Sequence, residues 1–303
     1  MKRQFSALLI LVVCTFAIML ASTASADTLN TADSFAVLAG STVTNTGPSL
    51  ITGDLGVYPG TAITGFPPGT VTGGTIYSGG AVPMTAQGDV TSAFNTLAKL
   101  GAAGTAVPGG VLNGFNGGCG TGCYSPGNYF APSTSLTGTI TLSDGGVAGS
   151  VFIFYTGAGS ALTTASNSVV NVSGLNPGDG VYWVVGSSAT IGTGTSFEGN
   201  ILALASITMT TGATDNCGRL LAQTAAVTLD TNTVSTGCVD TFISSTGAPI
   251  SGGGGLNGTT TGGGPGPVAT PEPGTLGLVL GGFCSLCFFA RGRNQTARPT
   301  DFC

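Results

Sequence analysis

The chain has 303 residues, of which 6% are charged, 53 are glycine and none is histidine. Without histidine, Ser-His-Asp and Cys-His catalytic sites and ordinary zinc sites are excluded. Between Asp27 and Val268, two basic residues (Lys99 and Arg219) face ten acidic ones, a net charge of −8. A domain with this negative charge is unsuited to binding nucleic acid, because the phosphates need to be neutralised by cations. The hydrophobic content of 42%, rich in glycine, threonine and β-branched runs, predicts an all-β protein with a core.

The N-terminus has the organisation of a secretory signal peptide. Lys2 and Arg3 precede an apolar run over residues 5–20, and an A-x-A cleavage site follows at 24–26. We therefore expect residues 1–26 to be removed and the mature chain to begin at Asp27. The alternative is a signal anchor that is retained.

The C-terminus combines Pro-Glu-Pro (271–273), an apolar segment over 275–290 and the pair Arg291 and Arg293. This order resembles the PEP-CTERM sorting signal of Gram-negative bacteria. The resemblance implies a transient inner-membrane intermediate, cleavage by an exosortase-type enzyme, and delivery to the cell surface or an exopolysaccharide matrix. The alternative is a simple C-terminal membrane anchor, since arginines after an apolar span suit a cytoplasmic end.

Between the body and this segment the chain is rich in glycine, threonine and proline, which is typical of a flexible linker. The predicted organisation has five parts: a signal peptide (1–26), one exported domain (27–248), a linker (249–270), a sorting or transmembrane segment (271–293) and a short tail (294–303).

An internal repeat with a period near 20 residues runs through the domain. Four stretches align on an apolar position: SALTTASN (160–167), ATIGTGTS (189–196), ITMTTGAT (207–214) and VTLDTNTV (227–234). The apolar column contains Leu162, Ile191, Met209 and Leu229. The column before it contains Thr190, Thr208 and Thr228, and the column two places after it contains Thr164, Thr193, Thr211 and Thr231.

A second short strand precedes each repeat, namely 151–155, 181–185, 200–204 and 219–223. Repeats of this length with short strands indicate a solenoid, in which each coil buries its inner side chains against its neighbours. Strand alternation then places Leu162, Ile191, Met209 and Leu229 inward and Thr190, Thr208 and Thr228 outward. The fold predicted from the residues is a parallel β-helix.

One α-helix is predicted over residues 85–100. Val90, Phe94, Leu97 and Ala98 form an apolar stripe at helical spacing. We expect this helix to pack along one face of the solenoid.

The cysteines fit an exported protein with disulfides. Cys217 and Cys238 are 21 residues apart, about one coil, and we expect them to pair between stacked neighbours. Cys119 and Cys123 would close a small loop. A metal clip is the alternative for this second pair, although no histidine or second pair completes it.

Two longer segments, 35–66 and 218–234, contain the motifs GDLGV and LAQTAAVTLDTN. They resemble the ice-binding-like family of secreted microbial antifreeze and ice-adhesion proteins, and the resemblance extends over about residues 33–234. It implies a right-handed discontinuous parallel β-helix of triangular section with one helix alongside. It also implies ice binding through a flat β-face with loosely repeated Thr-(Ala/Gly)-x-(Thr/Asn) stretches.

These stretches match 164–167 and 211–214, with serine in the last place at 193–196 and 46–49, while 231–234 departs at two positions. Together with the outward column they define the candidate ice-binding residues. The candidates are Thr164, Asn167, Thr190, Thr193, Thr195, Thr208, Thr210, Thr211, Thr214, Thr228, Thr231 and Thr233.

The predicted function is therefore ice binding by an exported, surface- or matrix-associated protein, with no cofactor and no enzymatic activity. The alternative is a structural or adhesive matrix protein on the same fold without ice affinity. A third hypothesis, a β-helix polysaccharide lyase or hydrolase, needs paired carboxylates or a basic residue at a cleft. The acids available for it are Asp179, Glu198, Asp215 and Asp230, which are more typical of turns.

Overall fold

The computed structural model describes residues 28–237, except 175 and 177. The predicted signal peptide, Cys238, the linker and the sorting segment lie outside the described residues. Within the described part, no helix is both long enough and apolar enough to cross a bilayer.

Short parallel strands and one long helix make up this part of the chain. The strands are β1 (Phe35–Ala39), β2 (Thr42–Thr46), β3 (Leu50–Thr52), β4 (Asp54–Val57), β5 (Ala62–Thr64), β6 (Thr70–Thr72), β7 (Ile76–Ser78), β8 (Thr105–Ala106), β9 (Gly118–Gly120), β10 (Cys123–Tyr124), β11 (Gly127–Phe130), β12 (Thr134–Leu136), β13 (Thr139–Ser143), β14 (Val151–Ala158), β15 (Leu162–Thr164), β16 (Val169–Ser173), β17 (Gly180–Gly186), β18 (Ala189–Ile191), β19 (Ser196–Ala203), β20 (Ile207–Met209), β21 (Thr214–Ala222), β22 (Val227–Asp230) and β23 (Thr233–Ser235). The helix is α1 (Ala81–Ala102), and three 3-10 turns are Asn30–Ser34, Pro108–Gly110 and Leu112–Gly114.

The strands form a parallel β-helix with three sides. One side is a seven-stranded sheet in the order β12-β15-β18-β20-β22-β2-β5, which we call the threonine sheet. The other two sides belong to one 15-stranded sheet, because β19 and β21 continue through the corner between them. We call the side built on β1, β14 and β17 the covered half and the side built on β3, β16 and β23 the open half. This architecture confirms the predicted fold.

The order of the coils in space differs from their order in the chain. The first coils, β1 to β7, pair with the last ones: Thr44 lies beside Thr228, and Leu50 beside Thr233. Helix α1 follows β7, and the remaining coils then stack until β22 and β23 meet β2 and β3. The β-helix is therefore discontinuous, and it has a seam where β2 and β3 meet β22 and β23.

Helix α1 packs on the covered half of the larger sheet. Its buried residues include Val90, Phe94 and Leu97, which confirms the predicted stripe, and they share a core cluster with Tyr182 and Leu202. The helix begins four residues before the predicted start. Its third residue, Pro83, is tolerated there because a first-turn amide has no partner within the helix.

The corner between the threonine sheet and the open half needs a left-handed backbone residue in each coil. Positive φ values occur at Asn167, Gly194, Gly212, Thr231 and Gly47, and hydrogen bonds between backbones stack these turns. Glycine adopts this conformation without a steric cost, and asparagine tolerates it, whereas a β-branched residue is strained. Thr231, with φ of 56°, is therefore the strained member of the column.

Replacement of Thr231 with asparagine is expected to stabilise the fold. Asn167 already adopts the same conformation in its own coil, with φ of 57°. We expect Thr231→Asn to raise the free energy of unfolding by about 0.5 to 1 kcal/mol, measured by urea denaturation with an unchanged m-value. Thr137→Asn, at an exposed position without a positive φ, is the control and should give no gain. An equal gain in both variants would contradict this explanation.

The last described residues lie at the corner between the open and covered halves. The Thr236 amide donates to the Thr52 carbonyl at 3.1 Å, directly before Gly53 and β4. In a three-sided coil, this corner lies opposite the threonine sheet.

Candidate functional site

Outward hydroxyls form a continuous ladder along the middle of the threonine sheet. Strand register places Thr190 beside Thr208 and Thr208 beside Thr228, as predicted, and it continues the column in both directions. The seven rungs are Ser135, Thr163, Thr190, Thr208, Thr228, Thr44 and Thr64. All seven are exposed or half-buried. Because parallel strands lie ~4.8 Å apart, the ladder is about 29 Å long.

Side chains beside the ladder are small. Register places Ala161, Ser188, Ser206, Ala226, Thr42 and Ala62 in the column two residues before it. The seven strands of the sheet contain no aromatic residue, and their only charged residue is Asp230, at the last position of β22. The sheet therefore presents a flat surface of methyl and hydroxyl groups.

One register predicted from the repeat is wrong. Leu162 pairs with Ala189, and Thr163 pairs with Thr190, so the first repeat is displaced by two residues from the alignment that matched Leu162 with Ile191. Thr163 consequently occupies the outward column, where the alignment had placed Ala161. Thr164 takes the inward position beside Ile191.

Two predicted ice-binding residues are buried and cannot reach a surface. Thr164 is 3% exposed and Thr195 is 0% exposed, and their hydroxyl oxygens lie 3.1 Å apart inside the corner. Thr164 Oγ1 also accepts the Gly192 amide at 2.8 Å, and Thr195 donates to the Ala165 carbonyl at 3.0 Å. These hydroxyls satisfy buried backbone groups, so both candidates are corrected to structural residues.

Two further candidates lie on another side of the β-helix. Thr214 and Thr233 pair with each other in β21 and β23, and Thr233 also pairs with Leu50. Their column belongs to the open half and is interrupted by Leu50 and Val169. They are separated from the ladder by the corner.

The remaining candidates lie at this corner, along the edge of the threonine sheet. Thr193 and Thr211 are exposed, and Thr193 Oγ1 lies 3.2 Å from Thr210 Oγ1. The backbone bonds align Thr211 with Asp230, whose carboxylate accepts hydrogen bonds from the hydroxyls of Thr211 and Thr231. The repeat alignment had matched Thr211 with Thr231, and this second register is also wrong by one residue. Asn167 and Thr231 are the non-glycine residues of the left-handed column.

The rungs missed by the sequence analysis are Ser135, Thr163, Thr44 and Thr64. The alternation in TVTNT (42–46) was a usable signal for Thr44. Its membership in the ladder depends on the seam, which joins residues about 180 positions apart in the chain.

Cys119 and Cys123 form a disulfide with an S–S distance of 1.94 Å, which leaves no thiolate for the alternative metal clip. Cys217 is also disulfide-bonded. Its predicted partner, Cys238, lies outside the described residues.

Of the four acids considered for catalysis, only Asp230 lies in the threonine sheet. Asp215 is 0% exposed, and its carboxylate lies beside the backbone amides of Cys217 and Gly199. Burial raises its pKa well above the ordinary value, and the neighbouring Glu198 adds to the rise. Burial also raises the pKa of Glu198 to about 7 and that of Asp179 to about 6. Asp230 forms the edge of the sheet, as described above.

Asp179 should make stability depend on pH. Its carboxylate accepts the amides of Ser150 and Asn176, both at 2.8 Å, but burial and the nearby Asp144 outweigh these bonds. The folded pKa of about 6 exceeds the unfolded value of about 4, so stability present at low pH is lost as the pH rises from about 4 to about 6. The loss from this residue is at most about 3 kcal/mol, because each pH unit between the two pKa values corresponds to about 1.4 kcal/mol.

We expect Asp179→Asn, which resembles the neutral acid, to raise Tm at pH 8 and to reduce the fall in Tm between pH 4 and pH 7. Thermal unfolding followed by circular dichroism at several pH values measures both. A smaller fall should persist, because Glu198 titrates in the same direction. An unchanged pH profile would show that Asp179 ionises freely in the folded protein.

Comparison with known proteins decides the family. The model of the Ice-binding-like family matches residues 37–235. The chain belongs to this family. An ice-binding protein of Nostoc sp. (strain HG1) is 50% identical over 220 residues, covering 72% of this chain and 77% of that protein. One from Flavobacterium frigoris (strain PS1) is 34% identical over 213 residues, covering 68% and 75%.

Solved structures of the ice-binding-like family share the fold. An ice-binding protein from an Antarctic biological consortium has 41% identity and a TM-score of 0.60, covering 69% of this chain and 90% of that one. The ice-binding protein of the Antarctic ascomycete Antarctomyces psychrotrophicus has 38% identity and a TM-score of 0.59, covering 68% and 96%.

Proposed function

We propose that this protein binds ice through the threonine sheet. The observation that carries the proposal is the ladder of seven outward hydroxyl residues with small neighbours. Ice-binding proteins from bacteria and fungi with the same fold, at up to 50% identity, support it.

The chemistry of the ladder suits an ordered water surface. Each threonine contributes a methyl group, which water cannot solvate by hydrogen bonding, and a hydroxyl, which can both donate and accept. Repetition at the strand spacing allows water molecules at successive rungs to adopt the same geometry. Charged groups would hold water in competing geometries, and on this sheet the single charge, Asp230, lies at the edge with its oxygens engaged by Thr211 and Thr231.

The binding surface of the proposal is the ladder, flanked by Thr193, Thr210 and Thr211 at the corner. Thr214 and Thr233 are left out of it because they lie on the open half. The absence of aromatic and acidic clusters from the strands of the threonine sheet favours ice over a polysaccharide ligand. We infer no enzymatic activity, since Asp215, which lies near Glu198, is completely buried, and Asp230 is engaged by Thr211 and Thr231 at the edge of the sheet.

The cellular setting is inferred from the termini. The signal peptide and the sorting segment support export and attachment to the cell surface or an extracellular matrix, through the membrane intermediate and exosortase-type cleavage expected from the PEP-CTERM resemblance. Exopolysaccharide remains a proposed partner in that setting.

The test is adsorption to ice. Fluorescently labelled protein should be incorporated into a slowly growing polycrystalline ice hemisphere, and it should keep ice grains small during annealing. A labelled protein of similar size without ice affinity is the control. If this protein is excluded from the hemisphere and the grains coarsen as they do in buffer, the proposal is wrong.

A further inference from the structure

The ladder is assembled from two parts of the chain that meet at the seam. Ser135 to Thr228 come from the later coils, whereas Thr44 and Thr64 come from the first coils. The contact across the seam pairs short strands, so backbone hydrogen bonds alone could form in more than one register. Side chains at the seam must therefore determine the register of the two parts, which is not required elsewhere in the ladder.

A chain of buried polar groups, in which Ser49 is the side chain that spans the seam, lies inside the corner. Asn232 is 1% exposed, Ser49 is 1% and Asn45 is 6%. The Asn232 backbone amide donates to Ser49 Oγ at 2.9 Å, and Ser49 Oγ donates to Asn45 Oδ1 at 2.5 Å. The Leu50 amide donates to the Asn232 carbonyl at 2.8 Å in the same place.

The two asparagines extend this chain into the coils on either side. Asn232 Nδ2 donates to the carbonyls of Thr210 and Ala213 at 2.9 and 3.0 Å, and its Oδ1 accepts the Asp230 amide at 2.6 Å. Asn45 Nδ2 donates to the carbonyls of Gly47 and Gly65 at 2.9 and 2.8 Å. The chain thus connects four consecutive coils through buried groups.

Such a chain permits one register. Shifting the first coils by one residue would move Ser49 away from the Asn232 amide and turn Asn45 toward solvent. The buried amide groups would then lack partners, which costs more than an ordinary hydrogen bond contributes.

We propose that Ser49, which joins the Asn232 backbone amide to Asn45, is a positioning residue that holds Thr44 and Thr64 in register with Thr228. Ser49 does not touch ice. It makes one long ladder from two shorter ones. The functional part of this inference rests on the proposed ice binding, whereas the structural part does not.

The experiment combines Ser49→Ala with substitutions on each part of the ladder. In the wild-type background, Thr44→Tyr and Thr190→Tyr should each reduce thermal hysteresis several-fold. In the Ser49→Ala background, Thr44→Tyr should have no further effect, because that rung is already displaced, while Thr190→Tyr should still reduce activity several-fold. A purely structural role for Ser49 would lower all activities in parallel and leave both tyrosine effects intact, which would overturn the proposal.

Hydrogen exchange provides a second readout that needs no ice. The backbone amides of Leu50 and Thr231 donate across the seam, to the carbonyls of Asn232 and Thr46, and should exchange at least tenfold faster in Ser49→Ala. The Ala189 amide, which donates to Ser206 away from the seam, should be unchanged. Unchanged protection at Leu50 and Thr231 would also overturn the proposal.

Two further variants complete the test. Asn45→Ala removes the oxygen that accepts from Ser49 Oγ and should reproduce both results if Ser49→Ala does not fold. Ser143→Ala, at a half-buried serine on the open half, is the matched control and should behave as wild type. If the wild-type protein lacks ice affinity, the proposed function fails, and the exchange data alone decide whether the seam is held by Ser49.

Discussion

Thr208→Tyr should abolish most of the ice affinity while leaving the fold intact. Thr208 lies in the middle of the ladder, between Thr190 and Thr228. Its side chain points outward, so the tyrosine ring would extend from the surface and displace nothing in the core. The ring would hold an ice surface away from the adjacent rungs, which are ~4.8 Å on either side. We expect adsorption affinity to fall at least about tenfold, equivalent to about 1.4 kcal/mol, measured with thermal hysteresis at several protein concentrations.

Thr233→Tyr is the matched control for that experiment. Thr233 is a half-buried outward threonine of the same β-helix, but it lies on the open half, beside Thr214 and Leu50. Thr233→Tyr should retain full activity and an unchanged Tm. If Thr233→Tyr loses activity and Thr208→Tyr keeps it, ice binds the open half and the surface assignment is reversed.

Asp33→Ala should be the most destabilising of the substitutions considered. Arg219 is completely buried, and its guanidinium donates from Nη2 to Asp33 Oδ1 at 2.5 Å, from Nε to the Asp33 carbonyl at 2.8 Å and from Nη1 to Asn200 at 2.9 Å. Without the Asp33 carboxylate, a buried positive charge loses the counter-charge with which it forms a salt bridge. Loss of one partner of a buried pair costs about 3 to 5 kcal/mol. For a domain of this size, Tm should fall by roughly 10 °C.

A second substitution distinguishes the effect of the lost salt bridge from the effect of lost packing. Arg219→Met in the Asp33→Ala background removes the charge and should recover a large part of the stability. Lys99→Met, at an exposed position of α1, is the control and should change Tm little. If the double variant is no more stable than Asp33→Ala alone, the loss comes from the 3-10 turn over Asn30–Ser34 and not from the charge.

The sequence predicted the elements of the fold better than their connections. The three outward threonines Thr190, Thr208 and Thr228 and the stripe of α1 follow from strict local periodicity, and the structure confirms both. Coils of 18 to 20 residues align these strand positions without ambiguity, although not the corner that follows them. The alternation of strand residues then determines which side chains face the solvent.

Register failed where a coil changes length. The turn over 173–180 lies between the first two repeats, and a longer turn permits several alignments of the strands around it. The true offset from Thr163 to Thr190 is 27 residues, whereas matching Leu162 with Ile191 required 29. Because strand residues alternate between the two faces, the buried Thr164 and the exposed Thr163 cannot be distinguished until this offset is known.

The seam could not be predicted from local pattern at all. Pairing of Thr44 with Thr228 depends on the path of the chain after β7, which α1 carries away from the first coils. The network of Asn45, Ser49 and Asn232 likewise gives no periodic signal, because its members lie at unrelated positions in the chain. Buried polar residues of this kind are recognised from the burial and partners that the structure provides.

The corner at which the described chain ends determines how the protein can be immobilised. Gly237 follows Thr236, whose amide is bound to Thr52 at the corner opposite the threonine sheet. A bead, a fusion partner or a cell envelope attached near this residue would lie on the side of the β-helix opposite the ladder. All seven rungs would then remain accessible to ice. Coupling through the turn at 137–138, between β12 and β13, would instead place the support at the edge of the rungs. C-terminal attachment is thus the geometry in which a coated surface would capture ice instead of masking its own binding groups.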